Sequence, residues 1–413
     1  MTPTHALRHL PAPVRGRGRG SFAVQPALYA GFAVFAAVTA AVTGLAPHRA
    51  WGGLAAVAYG LGALAALAPW GRRHRARVAA GVLASAVLVP LAVLVATGQA
   101  QPEVGVVQRS GAHLLEHGTP YLGAVELAAH GGYEAYNPYL PGMALLGLPW
   151  AVAGIDARLL FGGLFLLLLL AAGGLLLRGH GGIGARSLPL LVLAGSPLVS
   201  LPLVVGGDDL PVIGLVCLGL ALAVRDRHGA AGLALGLAAS LKATGWPALL
   251  VCLALVAASA QGRAAIRRYG TAASGVLAAG VLLPALVDPE GFVLNVVRFP
   301  LGLAGTASPA DSPLPGRLLA DLGPHGHATA LTLLGLAALT MGASLLVRPP
   351  AGARQAALRL ALGLLLATAL MPATRWGYLV YPAVLALWAR FGVPPAPRKP
   401  APRKEDEELC LVA

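Results

Sequence analysis

Cysteine is scarce in this chain: Cys217, Cys252 and Cys410 are the only three in 413 residues, and they lie far apart. That number and spacing exclude a disulfide framework and a cysteine-rich metal cluster. Charge is scarce too. Only 11% of residues are charged, and the acidic ones are the rarer sign, 16 against 30 Lys and Arg. A soluble globular domain carries about a quarter of its residues as charges, so that class is excluded. No internal repeat is visible, which weighs against transporter folds built from inverted repeats. The basic N-terminus, with Arg8, Arg15, Arg17 and Arg19, lacks a small-residue cleavage site. The apolar run after it reads as a retained first helix.

Apolar residues are what the chain has in plenty, at 57% of the total. They fall in runs of about 16 to 21 residues, the length a helix needs to cross the hydrocarbon layer. The expectation is an all-α, polytopic membrane protein. Spanning helices are expected near 28–46, 51–70, 78–98, 158–177, 187–205, 209–224, 229–241, 246–260, 270–287, 328–347, 356–371 and 376–391, about twelve in all.

A net charge of +14 would suggest nucleic acid in a soluble protein. Here the basic residues cluster in short gaps between apolar runs, as in Arg72-Arg73-His74-Arg75-Ala76-Arg77, Arg225-Asp226-Arg227 and Arg267-Arg268. Such gaps read as cytoplasmic loops, so the charge reports topology and no nucleic-acid partner follows. Both termini then lie in the cytoplasm, with Arg178 and Arg186 also inside, and the protein sits in the plasma membrane. Residues 1–27 form a basic cytoplasmic N-terminus and 28–77 a two-helix addition. Residues 78–391 form the main membrane domain, with outer loops 99–157 and 288–327. The Pro-rich tail 392–413 is expected to be disordered.

Two segments are irregular. Tyr139–Gly154 is apolar but carries Pro141 and Pro149, and counting it as a span would put Asp208-Asp209 on the side of the basic loops. It is therefore expected to lie in the outer interface. Ala230–Ala260 is too long for one span and is flanked by basic loops. Two short helices must enter and return around Lys242-Ala-Thr-Gly-Trp-Pro247, where Gly245 and Pro247 break the helix.

Most of the acidic residues then fall outside. Asp208 and Asp209 follow Gly206-Gly207 between two apolar stretches, and carboxylates at a membrane boundary are costly unless they pair, hold metal or do chemistry. Capping the following helix is their structural alternative. Glu103 follows the third span, where it could deprotonate an acceptor hydroxyl as general base; Asp288 and Glu290 open the second loop. Lys242, alone between apolar helices, needs an acid or a phosphate unless it snorkels to the headgroups. Arg375, in Met371-Pro-Ala-Thr-Arg-Trp-Gly-Tyr378, is similar, and the two cations could frame a lipid phosphate. Arg109, Tyr121, Tyr136 and Tyr139 in the first loop and His327 before the tenth span complete the candidate substrate contacts. The tyrosines suit sugar contact or an aromatic belt; His327, with His325, suits substrate, metal or plain solvation.

This arrangement resembles the GT-C superfamily of integral-membrane glycosyltransferases, and within it the actinobacterial mannosyltransferase-like branch. The likeness rests on Glu103 early in a large outer loop, the non-spanning Tyr139–Gly154, the acidic turn Asp208-Asp209, and the helix Gly232-Leu-Ala-Leu-Gly-Leu-Ala-Ala-Ser-Leu-Lys242. Many relatives carry Asp where this chain has Glu103. The resemblance implies a polyprenyl-phosphate sugar as donor, a lipid or glycan as acceptor, and an active face outside the cell. It implies Glu103 as base, with Lys242 and Arg375 neutralising the leaving phosphate. No cofactor is required, and a divalent metal could be held by Asp208 and Asp209. The rival readings are a flippase or transporter for lipid-linked sugars, using the same pocket without bond chemistry, and a catalytically inactive scaffold for envelope assembly.

Overall fold

The computed structural model describes residues 24–177, 187–301, 303–306, 309–391 and 393. Arg178, Arg186, the basic N-terminus before residue 24 and the acidic tail lie outside them. Apart from one parallel bridge between Asp311 and Thr374, the described residues form helices, turns and loops.

Seven helices are long and apolar enough to cross a membrane: Val24–Val42, Ala46–Leu67, Arg75–Ala96, Ala157–Leu176, Gly262–Val287, Pro324–Val347 and Ala353–Leu370. The protein is therefore a multi-pass membrane protein. The remaining apolar helices are shorter, and this is where the expectation of about twelve spans meets the structure. Asp209–Ala223, His228–Leu241 and Trp246–Ala257 are complete helices of less than spanning length. The expected span at 187–205 is divided into Ser187–Ala194 and Pro197–Val205. Pro197 opens the second piece, where a missing N–H costs nothing.

Asp209–Ala223 is the central helix. Nearly all of its side chains are buried, although it is only 15 residues long. It packs against Ala157–Leu177 and His228–Leu241. Small residues make these crossings tight: a Cβ on Gly219 would meet the Leu235 side chain, and one on Gly214 would press on Leu168 and Phe165. Such close approach supplies the packing contacts that drive helix association in lipid. Pro324–Val347 is the opposite case. Only Ala330 is buried along it, and Leu339, Leu346 and Val347 are fully exposed, as a lipid-facing helix requires.

Tyr139–Gly154 does not form a continuous helix. A 3₁₀ segment, Pro141–Leu146, is followed by the short helix Leu148–Ala153. Both lie against the amphipathic loop helix Pro102–His117, and Gly111 meets Gly147 backbone to backbone.

The two long loops are joined by a buried amide network. The Asn137 backbone donates to Asn295 Oδ1 at 3.0 Å, and the Asn137 side chain donates to Ser110 Oγ at 2.9 Å. Asn295 donates to the Leu122 and Gly291 carbonyls. Thr119 Oγ1 donates to Asp288 Oδ2 at 2.6 Å, and Gly291 N donates to Asp288 Oδ1 at 2.8 Å. Asp288 is thus a helix cap and a loop tie.

Candidate active site

The site is built from four separated segments. The first is the turn before Asp208. Pro197–Val205 ends at Gly206 with φ 102°, a left-handed conformation that only glycine adopts without strain. A Cβ there would also strike Val104 and Arg158. Gln101 grips this turn, its backbone donating to the Val205 carbonyl at 3.0 Å and its side chain to the Gly206 carbonyl at 2.7 Å. Pro102-Glu103 therefore starts its helix beside Asp208-Asp209. Arg158, fully buried, secures the same corner through Asp156 at 2.7 Å and the Gln99 carbonyl at 2.5 Å.

The second segment is the break at Lys242. His228–Leu241 stops there, Lys242 is extended at φ −147° and ψ 149°, and a turn over Ala243–Gly245 leads into Trp246–Ala257. Gly245 lies against the backbone of Ala238 and Ala239, too close for a Cβ. The break points the ammonium inward. Lys242 Nζ donates to Asp208 Oδ1 at 3.0 Å and to Asp209 Oδ1 at 2.5 Å. Asp208 sits at the N-cap position of the central helix, yet its side chain caps nothing. The ammonium has taken it instead, and snorkelling is ruled out by the same contacts.

Tyr139 is the third contributor. Leu140 N donates to the Leu241 carbonyl at 3.1 Å, which lays the loop over the break. The Tyr139 ring stands 5.0 Å from Lys242 Nζ, a cation–π contact. Burial raises its phenol well above the ordinary value, so it stays protonated at neutral pH.

The fourth segment carries Arg375. Thr374 pairs with residues 310–312 of the second long loop: Thr374 N donates to the Ala310 carbonyl and Ser312 N to the Thr374 carbonyl, both at 3.0 Å. Arg375 is thereby held extended and ion-paired to Glu103. Tyr381, a turn further on, donates to Asp209 Oδ1 at 2.8 Å and shares a 2.6 Å hydrogen bond with Thr244.

Glu103, Asp208, Asp209, Lys242, Arg375 and Tyr139 thus form one cluster, three carboxylates against two cations. The other candidates lie elsewhere. Arg109 donates to the Glu134 carbonyl at 2.5 Å and the Ala135 carbonyl at 3.3 Å, and with Gln108, Glu134 and Arg158 it lines a separate cavity of about 480 Å³. Tyr121 is buried and donates to the Tyr139 carbonyl at 3.0 Å, a support to the loop. Tyr136 stacks on Phe299 at 4.4 Å and bonds the Ala304 carbonyl. His327 is exposed in the first turn of Pro324–Val347 and has no hydrogen bond or ion pair to the cluster among the described residues. Thr244 and Tyr381 are the additions; in the sequence they look like ordinary residues at helix starts.

Helices long and apolar enough to cross a membrane, with a polar cluster of ion pairs packed among them, define a membrane protein with an internal polar site. A family model, Glycosyltransferase family 87, matches residues 137–373, more than half of the chain. The chain belongs to this GT-C-like family of membrane glycosyltransferases. No curated protein and no solved structure matches it. The matched stretch includes Asp208, Asp209 and Lys242 and ends before Arg375; Glu103 precedes it.

Proposed function

We propose that this protein moves a mannose-like sugar from a polyprenyl-phosphate donor to a hydroxyl of a lipid or glycan acceptor, on the extracytoplasmic face of the plasma membrane. The observation that carries the reading is the gathering of Glu103, Asp208, Asp209, Lys242 and Arg375 beneath both long loops, in a chain of a glycosyltransferase family.

Pairing separates the carboxylates. Asp208 and Asp209 share the one buried ammonium of Lys242, whereas Glu103 meets only the half-open Arg375. Glu103 is therefore the carboxylate assigned to the acceptor. It takes the proton of the acceptor hydroxyl, the acceptor oxygen forms a bond to the anomeric carbon, and the bond from that carbon to the phosphate oxygen breaks. Polyprenyl phosphate leaves with the electron pair. When Arg375 turns to the donor phosphate, it leaves the Glu103 carboxylate to the acceptor hydroxyl. Donor binding thereby switches on the base.

Lys242 organises the site by holding Asp208 and Asp209 together through Oδ1 of each, and Asp208 Oδ2 is buried without a hydrogen-bond partner. A divalent ion takes about six or more oxygen ligands, so one bound at the two free Oδ2 atoms would need further ligands, and the transfer as written does not require it.

The test is transfer from a radiolabelled polyprenyl-phosphate sugar at saturating donor. Glu103→Gln is expected to bind donor yet lower transfer on the order of 10²-fold or more, and Arg375→Ala to weaken donor binding as well. Unchanged turnover in Glu103→Gln eliminates the base assignment; sugar translocation without a glycosidic product establishes a flippase. The face is tested by cysteine labelling in intact cells. Gly111, a loop position by sequence, is packed against Gly147 and unsuitable, and Ser308 lies outside the described residues. Val125, 85% exposed on Ala124–His130, is the proper reporter. Val125→Cys should label and Ala76→Cys should not; the reverse pattern overturns the orientation.

A further inference from the structure

The Pro102–His117 helix carries a second polar cluster at its other end. His113 and His117 are one helical turn apart and share a face, their rings stacked with centroids 4.2 Å apart. Glu126, in the first turn of Ala124–His130, faces them. One ligand atom from each of the three residues lies within 4.8 Å of the other two.

Hydrogen bonds settle what each atom can do. His113 Nδ1 is 2.7 Å from the Thr119 carbonyl. A carbonyl only accepts, so Nδ1 carries the proton, and in the neutral ring Nε2 holds a lone pair. That lone pair faces Glu126 Oε1 at 3.4 Å. The other carboxylate oxygen, Oε2, accepts from Gly123 N at 2.8 Å. Two acceptors facing each other repel unless a cation lies between them. Among the described residues the one ion-pair partner of Glu126 is His113 itself; no Lys or Arg pairs with it.

The cation is therefore a second proton on His113 or a metal ion. A proton between His113 and Glu126 leaves His117 without a part, whereas a metal uses all three groups. Two imidazoles at i and i+4 on a helix, with a carboxylate from a neighbouring element, are a donor set zinc takes. The contact from Nδ1 to a backbone carbonyl is the kind that orients a metal-bound histidine.

We infer that His113 Nε2, a ring nitrogen of His117 and Glu126 Oε1 form a site for a zinc-like divalent ion, with a remaining coordination position open to water. Bonds of about 2.0–2.2 Å put tetrahedral ligand atoms roughly 3.3–3.6 Å apart, so the exposed His117 has to close in slightly. The ion would tie the end of Pro102–His117 to Ala124–His130 across the turn that contains Thr119. Since Thr119 holds Asp288, the metal stiffens the junction of the two long loops. This function is structural and independent of the transfer reaction.

The test uses the full-length protein in detergent, stripped with a chelator and titrated with Co(II), whose visible spectrum reports its coordination. A single saturable site with the spectrum of a four-coordinate nitrogen- and oxygen-ligated ion, displaced by zinc, is expected. His117→Ala and Glu126→Gln should each weaken binding by at least about 100-fold. His130→Ala should leave it unchanged, because that ring bonds only the Glu126 carbonyl, at 2.9 Å. His117 is exposed, so its removal spares the fold, which the metal-free unfolding temperature verifies. Failure of the parent protein to bind Co(II), or equal binding by parent and His117→Ala, overturns the site.

Discussion

The two ends of the Pro102–His117 helix balance charge in opposite ways. At its start, Glu103 meets Arg375, and beside it Asp208 and Asp209 share Lys242. The cations are supplied by the chain itself, from residues 33 to 272 positions away. At its end, His113, His117 and Glu126 lie within 14 residues of sequence, and among the described residues no Lys or Arg pairs with Glu126. The first cluster is closed by the fold. The second is assembled locally and is completed by an ion from solution. One end suits an anionic substrate, the other a metal.

Removing the fold-supplied cation should have the largest effect. Lys242→Met leaves two buried carboxylates with no ammonium, and breaking such a pair costs about 3–5 kcal/mol. Thermal unfolding in detergent checks this, and near-parent stability would break the contrast. Tyr381→Phe should be milder. It removes a hydrogen bond to the charged Asp209, worth about 1.5–3 kcal/mol, and frees Asp209 without unpairing it. The smallest change belongs to the metal end: without metal, His117→Ala should shift stability by no more than about 0.5 kcal/mol, as for an ordinary surface residue. With zinc the parent should gain stability and the variant should not. A large loss in metal-free His117→Ala would show that the histidine pair is closed by the fold as well.

The hairpin around Lys242 was legible in the sequence because its signals are local. Basic flanks, a run too long for one span, and Gly245 and Pro247 two positions apart give the break directly, and the structure has it at Lys242. The interruption of 139–154 was legible through its two prolines, each of which opens one of the two short pieces. The cluster was legible as a set of costly charges but not as pairs. Nothing in the sequence puts Glu103 against Arg375, or shows that Arg109 serves backbone carbonyls while Tyr121 and Tyr136 support the loop. The histidine pair did carry a signal, the i, i+4 spacing. Glu126 joins it only because the turn at Gly118, with φ 75°, folds the next helix back.

By itself the sequence determined the solvent and much of the secondary structure: an apolar, helical chain for a lipid bilayer, with most of its charges at or between the ends of the apolar runs. Hydropathy and helix breaking depend on neighbours along the chain, so they can be read without the fold. Only the tertiary structure decided which carboxylate each cation meets and where a lone pair faces an oxygen with no cation between. Those depend on distances of a few ångströms between groups brought together by helix packing, and no local pattern encodes them.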